Sequence, residues 1–214
     1  MGKYQNGIET QEKILDACHT FFYEKGYQKT TFKDISRATG INQSAIHYHF
    51  KSKENLLKII YQDTVRKNNE LVEFYSDNTT SFLAKLFFDS EIYMYKIYHD
   101  ERYRRFYIDA TKYGYGAETE LGKFSYQSYN HVGSAADSNE EAMFNRMACA
   151  AFDQVILLYI HENIDTVDME KVCCQVRKMY KKILEIGDQE YEKALEELKL
   201  LKDRCKWKDI DTTL

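Results

Sequence analysis

Residues 31–50 read TFKDISRATGINQSAIHYHF, two short helices separated by a glycine-containing turn. Thr31 is an N-cap with Asp34 at the third helical position, close to a capping box. Gly40 stops that helix, and Asn42 caps a second one from Gln43 to about Phe50. This is the layout of a helix-turn-helix, whose first helix braces and whose second enters a major groove. Ile35 and Ala38 on the first helix, with Ile46 and Phe50 on the second, supply a small shared core. The outward positions Gln43, Ser44, Ala45, His47 and Tyr48 are small, polar or aromatic and none is acidic. Acidic groups there would repel phosphates, whereas Gln can read adenine and Ala can meet a thymine methyl. Lys33, Lys51 and Lys53 flank this face as expected phosphate anchors, with Lys29 and Arg37 beside them. The plain alternative, three small helices that only pack with their lysines in water, stays open on pattern alone.

Outward from this stretch the helical reading continues. Thr10 is a plausible N-cap for a first helix with Ile14, Ala17, Cys18, Phe21 and Phe22 in step, ended by Gly26. Ser52 caps a fourth helix carrying Leu56, Leu57, Ile60, Thr64, Leu71 and Phe74. Residues 77–81 break it. Helical patterns follow at about 81–99, 102–113 and 118–131, with turns at 114–116 and 133–138. Ser138 and Glu141 form a capping box opening a helix to about His161. Another helix runs from about Asp168 to Ile186 and is ended by Gly187, and residues 188–206 repeat the pattern. The 214 residues contain no Pro and 9 Gly, with 43% hydrophobic and 30% charged residues. So few breakers favour an all-α globular chain, and no convincing strand is found. The expected organisation is a DNA-binding headpiece at 1–52, a linking helix at about 53–75, and a larger helical domain at 76–214.

Charge is uneven. Residues 1–67 hold 11 Lys/Arg against 7 Asp/Glu, a net of +4; residues 68–214 hold 19 against 27, a net of −8. Only the first segment is suited to a polyanion. The five cysteines, Cys18, Cys149, Cys173, Cys174 and Cys205, contain no C-x-x-C and read as reduced structural thiols in a cytoplasmic protein. The opening MGKYQNGIETQEK has no apolar core, so no signal peptide is expected, and no apolar run approaches the ~18 residues of a membrane span. His47 and His49 look like a metal pair, but positions i and i+2 do not face one another on a helix, so no metal is expected. No catalytic constellation, phosphate-cradling glycine loop or cofactor motif is present, so neither an enzyme nor a cofactor is expected.

The run from Thr10 to about Ile60 resembles the N-terminal domain of the tetracycline-repressor (TetR) family of transcriptional regulators. The likeness rests on Phe21-Phe22 and Gly26, then TTFKDI at 30–35, then TGINQSAIHYHFKSKENLL at 39–57. The family frequently has Tyr where His47 stands and Ala where Ser36 stands. The resemblance implies a homodimeric regulator, most commonly a repressor, on a palindromic double-stranded operator. A small-molecule effector of unknown identity would bind the C-terminal domain and release the DNA. It also implies groove contacts from Gln43, Ser44, Ala45, His47 and Tyr48, and phosphate contacts from Thr31, Lys33 and Lys53. The rival is a small-molecule binding protein whose helix-turn-helix has lost DNA affinity.

Tyrosine is in excess. Nine of 18 Tyr fall between 93 and 129 (93, 95, 98, 103, 107, 113, 115, 126 and 129), with Phe106 and Phe124 among them. They suit a pocket for a planar, cationic or amphipathic effector, or simple core packing. Tyr93, Tyr103, Tyr107 and Phe152 are the candidate ligand contacts. Met143, Met147, Ala150, Ala151 and Val155, then Val172, Val176, Met179 and Ile183, form two apolar stripes. These make a four-helix homodimer interface or are buried within one subunit.

Overall fold

The computed structural model describes residues 2–114 and 140–214. The expected helix at 118–131, the turn at 133–138 with Ser138, and Tyr115, Phe124, Tyr126 and Tyr129 lie outside the described residues. So do the side chains of Tyr113, Glu141, Met143, Met147 and Ala150. The helices are α1 (Gly2–Glu24), α2 (Phe32–Thr39), α3 (Gln43–Phe50), α4 (Lys53–Tyr75), α5 (Phe82–His99), α6 (Glu101–Gly114), α7 (Glu140–Glu162), α8 (Met169–Ile183) and α9 (Asp188–Arg204), with a 3-10 turn at Trp207–Asp209. No strand occurs among the described residues, and none of their helices is long and apolar enough to cross a membrane.

Two compact units share these helices. One comprises residues 2–64, α6 and the last two residues; the other comprises 65–100 and 140–212. In the first unit, α1 buries Ile14, Cys18 and Phe22, α2 buries Ile35, and α3 buries Ile46 and Phe50. Leu56, Leu57 and Ile60 of α4 and Tyr103, Phe106, Tyr107 and Ala110 of α6 complete this core. Burial pushes the Cys18 thiol up to about 12, an inert packing group. Two expectations change. Helix α1 starts at Gly2, so Thr10 lies inside it; no Pro interrupts residues 3–9, and the helix extends backwards through them. Ala38 is exposed, because the inward stripe of α2 runs through Phe32, Ile35 and Thr39.

The loop joining α1 to α2 is held from two helices within this unit, α6 and α4. Gly26 adopts φ +85°, and a Cβ there would sit 3.1 Å from Arg105 Nε and 3.2 Å from Asp109 Oδ2. The backbone conformation calls for glycine, and a side chain there would also press on Arg105 and Asp109. From α6, Asp109 accepts the Tyr27 N–H at 3.0 Å, and Arg105 donates to the Tyr23 and Glu24 carbonyls that α1 leaves open at its C-terminus. From α4, Lys53 Nζ donates to the carbonyls of Tyr27, Thr30 and Gln28 at 3.0, 3.1 and 3.4 Å and lies 4.3 Å from the Tyr27 ring centroid.

In the second unit α5 packs against α8 and α9, and α7 against α8. Glu91 on α5 is buried and accepts from Arg177 of α8 and, at 2.6 Å, from Lys202 of α9. Such a charge is tolerated because it is paired on both sides. Helix α8 ends at Ile183, earlier than expected, because Glu185 takes the left-handed turn (φ +51°). Gly187 is instead the N-cap of α9. Val172 and Val176 are buried inside this unit, so the α8 stripe is internal. The α7 stripe is not: Phe144, Ala148, Ala151, Val155 and Leu158 are exposed at spacings of four, three, four and three residues.

Candidate nucleic-acid interface

Local chemistry sets the two central helices. Thr31 caps α2: its hydroxyl accepts the Asp34 N–H at 3.2 Å and donates to Asp34 Oδ2 at 2.7 Å, while the Thr31 N–H donates to the same carboxylate at 3.0 Å. These bonds hold the Asp34 carboxyl below its ordinary range. Gly40, at φ +72°, ends α2, and Asn42 Oδ1 accepts the Ala45 N–H at 2.8 Å to open α3. With Ile46 and Phe50 turned inward, α3 presents Gln43, Ser44, His47 and Tyr48 to solvent, and Ala45 is half-buried. No residue of α3 is acidic.

The flanking groups differ from one another. Lys33 is exposed, as are Lys29 and Arg37. Lys51 caps α3 with φ +63° and sets its ammonium 5.2 Å from the centre of the Tyr48 ring, which is 73% exposed. Lys53 is half-buried, and three carbonyls take the three N–H donors an ammonium has. Burial lowers its pKa, against the opposing pull of Asp109. His47 Nδ1 lies 3.0 Å from the Lys51 carbonyl and its ring 4.5 Å from that of Phe32. His49 is half-buried and accepts from the Gln11 amide at 3.2 Å. The two histidines therefore have separate partners.

The four candidate ligand contacts fall in different units. Tyr103 and Tyr107 lie together in the first, ring centroids 4.9 Å apart, and both are buried. The Tyr103 hydroxyl donates to that of Tyr107 at 3.2 Å, and Tyr107 meets the Thr64 hydroxyl of α4 at 3.0 Å. Tyr93 and Phe152 are half-buried in the second unit. That unit also holds Asp89, whose Oδ1 is sealed from solvent and has no hydrogen-bond partner among the described residues. Burial, reinforced by the Asp153 charge, pushes the Asp89 carboxyl up to about 7. Sequence reasoning did not find Arg105, Asp109 or the internal engagement of Lys53. The first two lie about eighty positions from the turn they hold, and no local pattern marks such a pairing.

Comparison with known proteins bears on this head. Residues 14–60 match the model described as bacterial regulatory proteins, tetR family. The biofilm operon icaADBC HTH-type negative transcriptional regulator IcaR of Staphylococcus epidermidis is 34% identical over 108 residues, covering 46% of this chain and 51% of that protein. IcaR of Staphylococcus aureus (strain Newman) is 32% identical over 105 residues, covering 46% and 52%. The chain thus spans about half the length of the curated relatives it matches. Among solved structures, a SmeT–triclosan complex aligns with a TM-score of 0.53 at 19% identity over 81% of this chain and 90% of that one, a likeness of fold alone. The head of this chain, residues 14–60, is therefore a helix-turn-helix domain of the tetR family of bacterial regulatory proteins.

Proposed function

We propose that this protein is a ligand-responsive transcriptional regulator, most simply a repressor, that binds a palindromic DNA operator as a homodimer. The observation that carries the reading is the face of α3. Gln43, Ser44, His47 and Tyr48 stand exposed without an acidic neighbour on the helix, between the exposed cations Lys33 and Lys51. A helix so equipped suits a major groove, with lysines for the phosphates and polar side chains for the base edges. Thr31, Lys33 and Lys51 are the proposed phosphate-side residues and Ala45 the proposed apolar contact, whereas Lys53, its three donors engaged by loop carbonyls, is left out of that set. DNA reading is assigned to 1–52, the link to about 53–75, and effector binding and dimerisation to 76–214.

Of the four candidate effector contacts, Tyr93 and Phe152 retain surface to offer a ligand, whereas Tyr103 and Tyr107 are buried and bonded through to Thr64. The exposed α7 stripe supports self-association: Ala148 and Ala151 allow close approach, and Phe144, Val155 and Leu158 supply apolar area. The negative regulators among the relatives favour repression. The test is duplex enrichment from random sequence with the full chain, followed by affinity against salt. A log–log slope of about −0.9 per phosphate contacted is expected. Absence of salt-dependent attachment to any duplex refutes the proposal.

A further inference from the structure

One hydrogen bond settles the chemistry of His47. Its Nδ1 lies 3.0 Å from the carbonyl oxygen of Lys51. A carbonyl only accepts, so Nδ1 carries the proton. In return the Lys51 N–H donates to the His47 carbonyl at 2.8 Å, so the two residues close the end of α3 reciprocally. Phe32 of α2 lies against the ring, with centroids 4.5 Å apart, and restrains its swing. In the neutral imidazole this leaves Nε2 bare, an acceptor with nothing to donate. His47 is exposed, one helical turn after the exposed Gln43 and on the same stripe.

Resting on the reading of α3 as the groove-entering helix, we infer that His47 is a specificity residue that accepts, through Nε2, a hydrogen bond from an exocyclic amino group. In the major groove only cytosine N4 and adenine N6 offer such a donor; guanine presents N7 and O6, and thymine O4, all acceptors. His47 therefore selects cytosine or adenine at its position and disfavours guanine and thymine. Lys51 sets this choice by holding the tautomer, without touching the base.

The experiment uses the full chain at about pH 8. Duplexes are enriched from random sequence with the wild type and with His47→Phe, which keeps a flat ring against Phe32. The wild type is expected to select one position per half-site as adenine or cytosine, and His47→Phe to lose that preference alone. Replacing that base by an analogue lacking its amino group should weaken the wild type about three- to tenfold, the loss of a single hydrogen bond, and leave His47→Phe unchanged. His47→Gln, whose amide both donates and accepts, should bind and tolerate guanine there. Ring nitrogen NMR of the free protein should show Nδ1 protonated and Nε2 bare. A guanine at the His47-dependent position, a preference that survives in His47→Phe, or a bare Nδ1 overturns the inference while the DNA-binding reading stands. Failure to enrich any duplex overturns that reading, and the inference with it.

Discussion

Replacing Lys53 by Met keeps most of the aliphatic stem and removes the ammonium, which separates two roles for this side chain. In the structure Nζ donates to three backbone carbonyls of the α1–α2 loop at 3.0, 3.1 and 3.4 Å. A hydrogen bond to a charged group is worth about 1.5–3 kcal/mol net. One charge serves all three contacts, the longest is exposed, and solvent screens part of the rest, so the set comes to about 2 kcal/mol. The Tyr27 ring adds about 0.5 kcal/mol. At about 2–4 °C per kcal/mol for a chain of this size, Lys53→Met should melt roughly 5–10 °C lower in calorimetry. Hydrogen exchange should quicken in peptides covering 25–31, because the loop loses its hold on α4. If melting stays within about 1 °C of the wild type and exchange over the loop is unchanged, the ammonium is not a clasp. An exposed phosphate anchor behaves oppositely, weakening DNA binding with the loop intact.

Lys33→Ala provides that contrast: it should leave melting unchanged and reduce the salt slope of DNA binding by about 0.9 per subunit, and unequal losses on specific and nonspecific duplexes would count against a phosphate role. Gly26→Ala forces a side chain into φ +85° and to within 3.1 Å of Arg105 Nε; a cost of about 1–3 kcal/mol is expected in denaturant titration, and a neutral result would disprove the strain. Asp34 has its carboxyl held below the ordinary value of 3.8 by Thr31, so its contribution is present above that value and lost as pH falls through the lower folded one. The wild type should exceed Asp34→Asn in stability at neutral pH, with the gap closing in acid; a gap independent of pH refutes the capping role. Val155→Arg on the exposed α7 stripe should shift the protein from dimer to monomer in sedimentation, and an unchanged dimer would move the interface elsewhere.

Local rules made the head legible. Thr31, Asp34, Gly40 and Asn42 are short-range signals acting within four residues, and α2 starts and ends, and α3 starts, where they direct. The same rules misjudged Gly187, because a left-handed turn can be taken by another residue, and Glu185 took it. Periodicity shows that α7 and α8 are amphipathic but not which face is covered. That depends on Glu91 of α5, whose charge draws in Arg177 and fixes the α8 stripe inside the unit. The candidate site divided the same way. The exposed face of α3 follows from spacing, whereas Lys53, read as a groove-side cation, turned to the carbonyls of a loop more than twenty residues earlier.

The engagement of Lys53 and the grip of α6 bear on one another. Residues 23–30 have their carbonyls and N–H groups held by Arg105 and Asp109 from α6 and by Lys53 from α4. Polar backbone at the end of a helix needs partners when it is shielded from water, and here both sets come from outside the three-helix head. Residues 1–52 alone would leave the backbone groups of Tyr23, Glu24, Tyr27 and Thr30 without these partners, and would lack the α6 helix that packs against α1. The compact unit that presents α3 therefore extends through Thr64 and includes α6. A fragment ending at residue 52 should be less stable and exchange faster at 23–30 than the same residues in the full chain. Equal protection in the two would mean that α2 and α3 hold their turn without α4 or α6, and that the grip on the loop is incidental to the reading head.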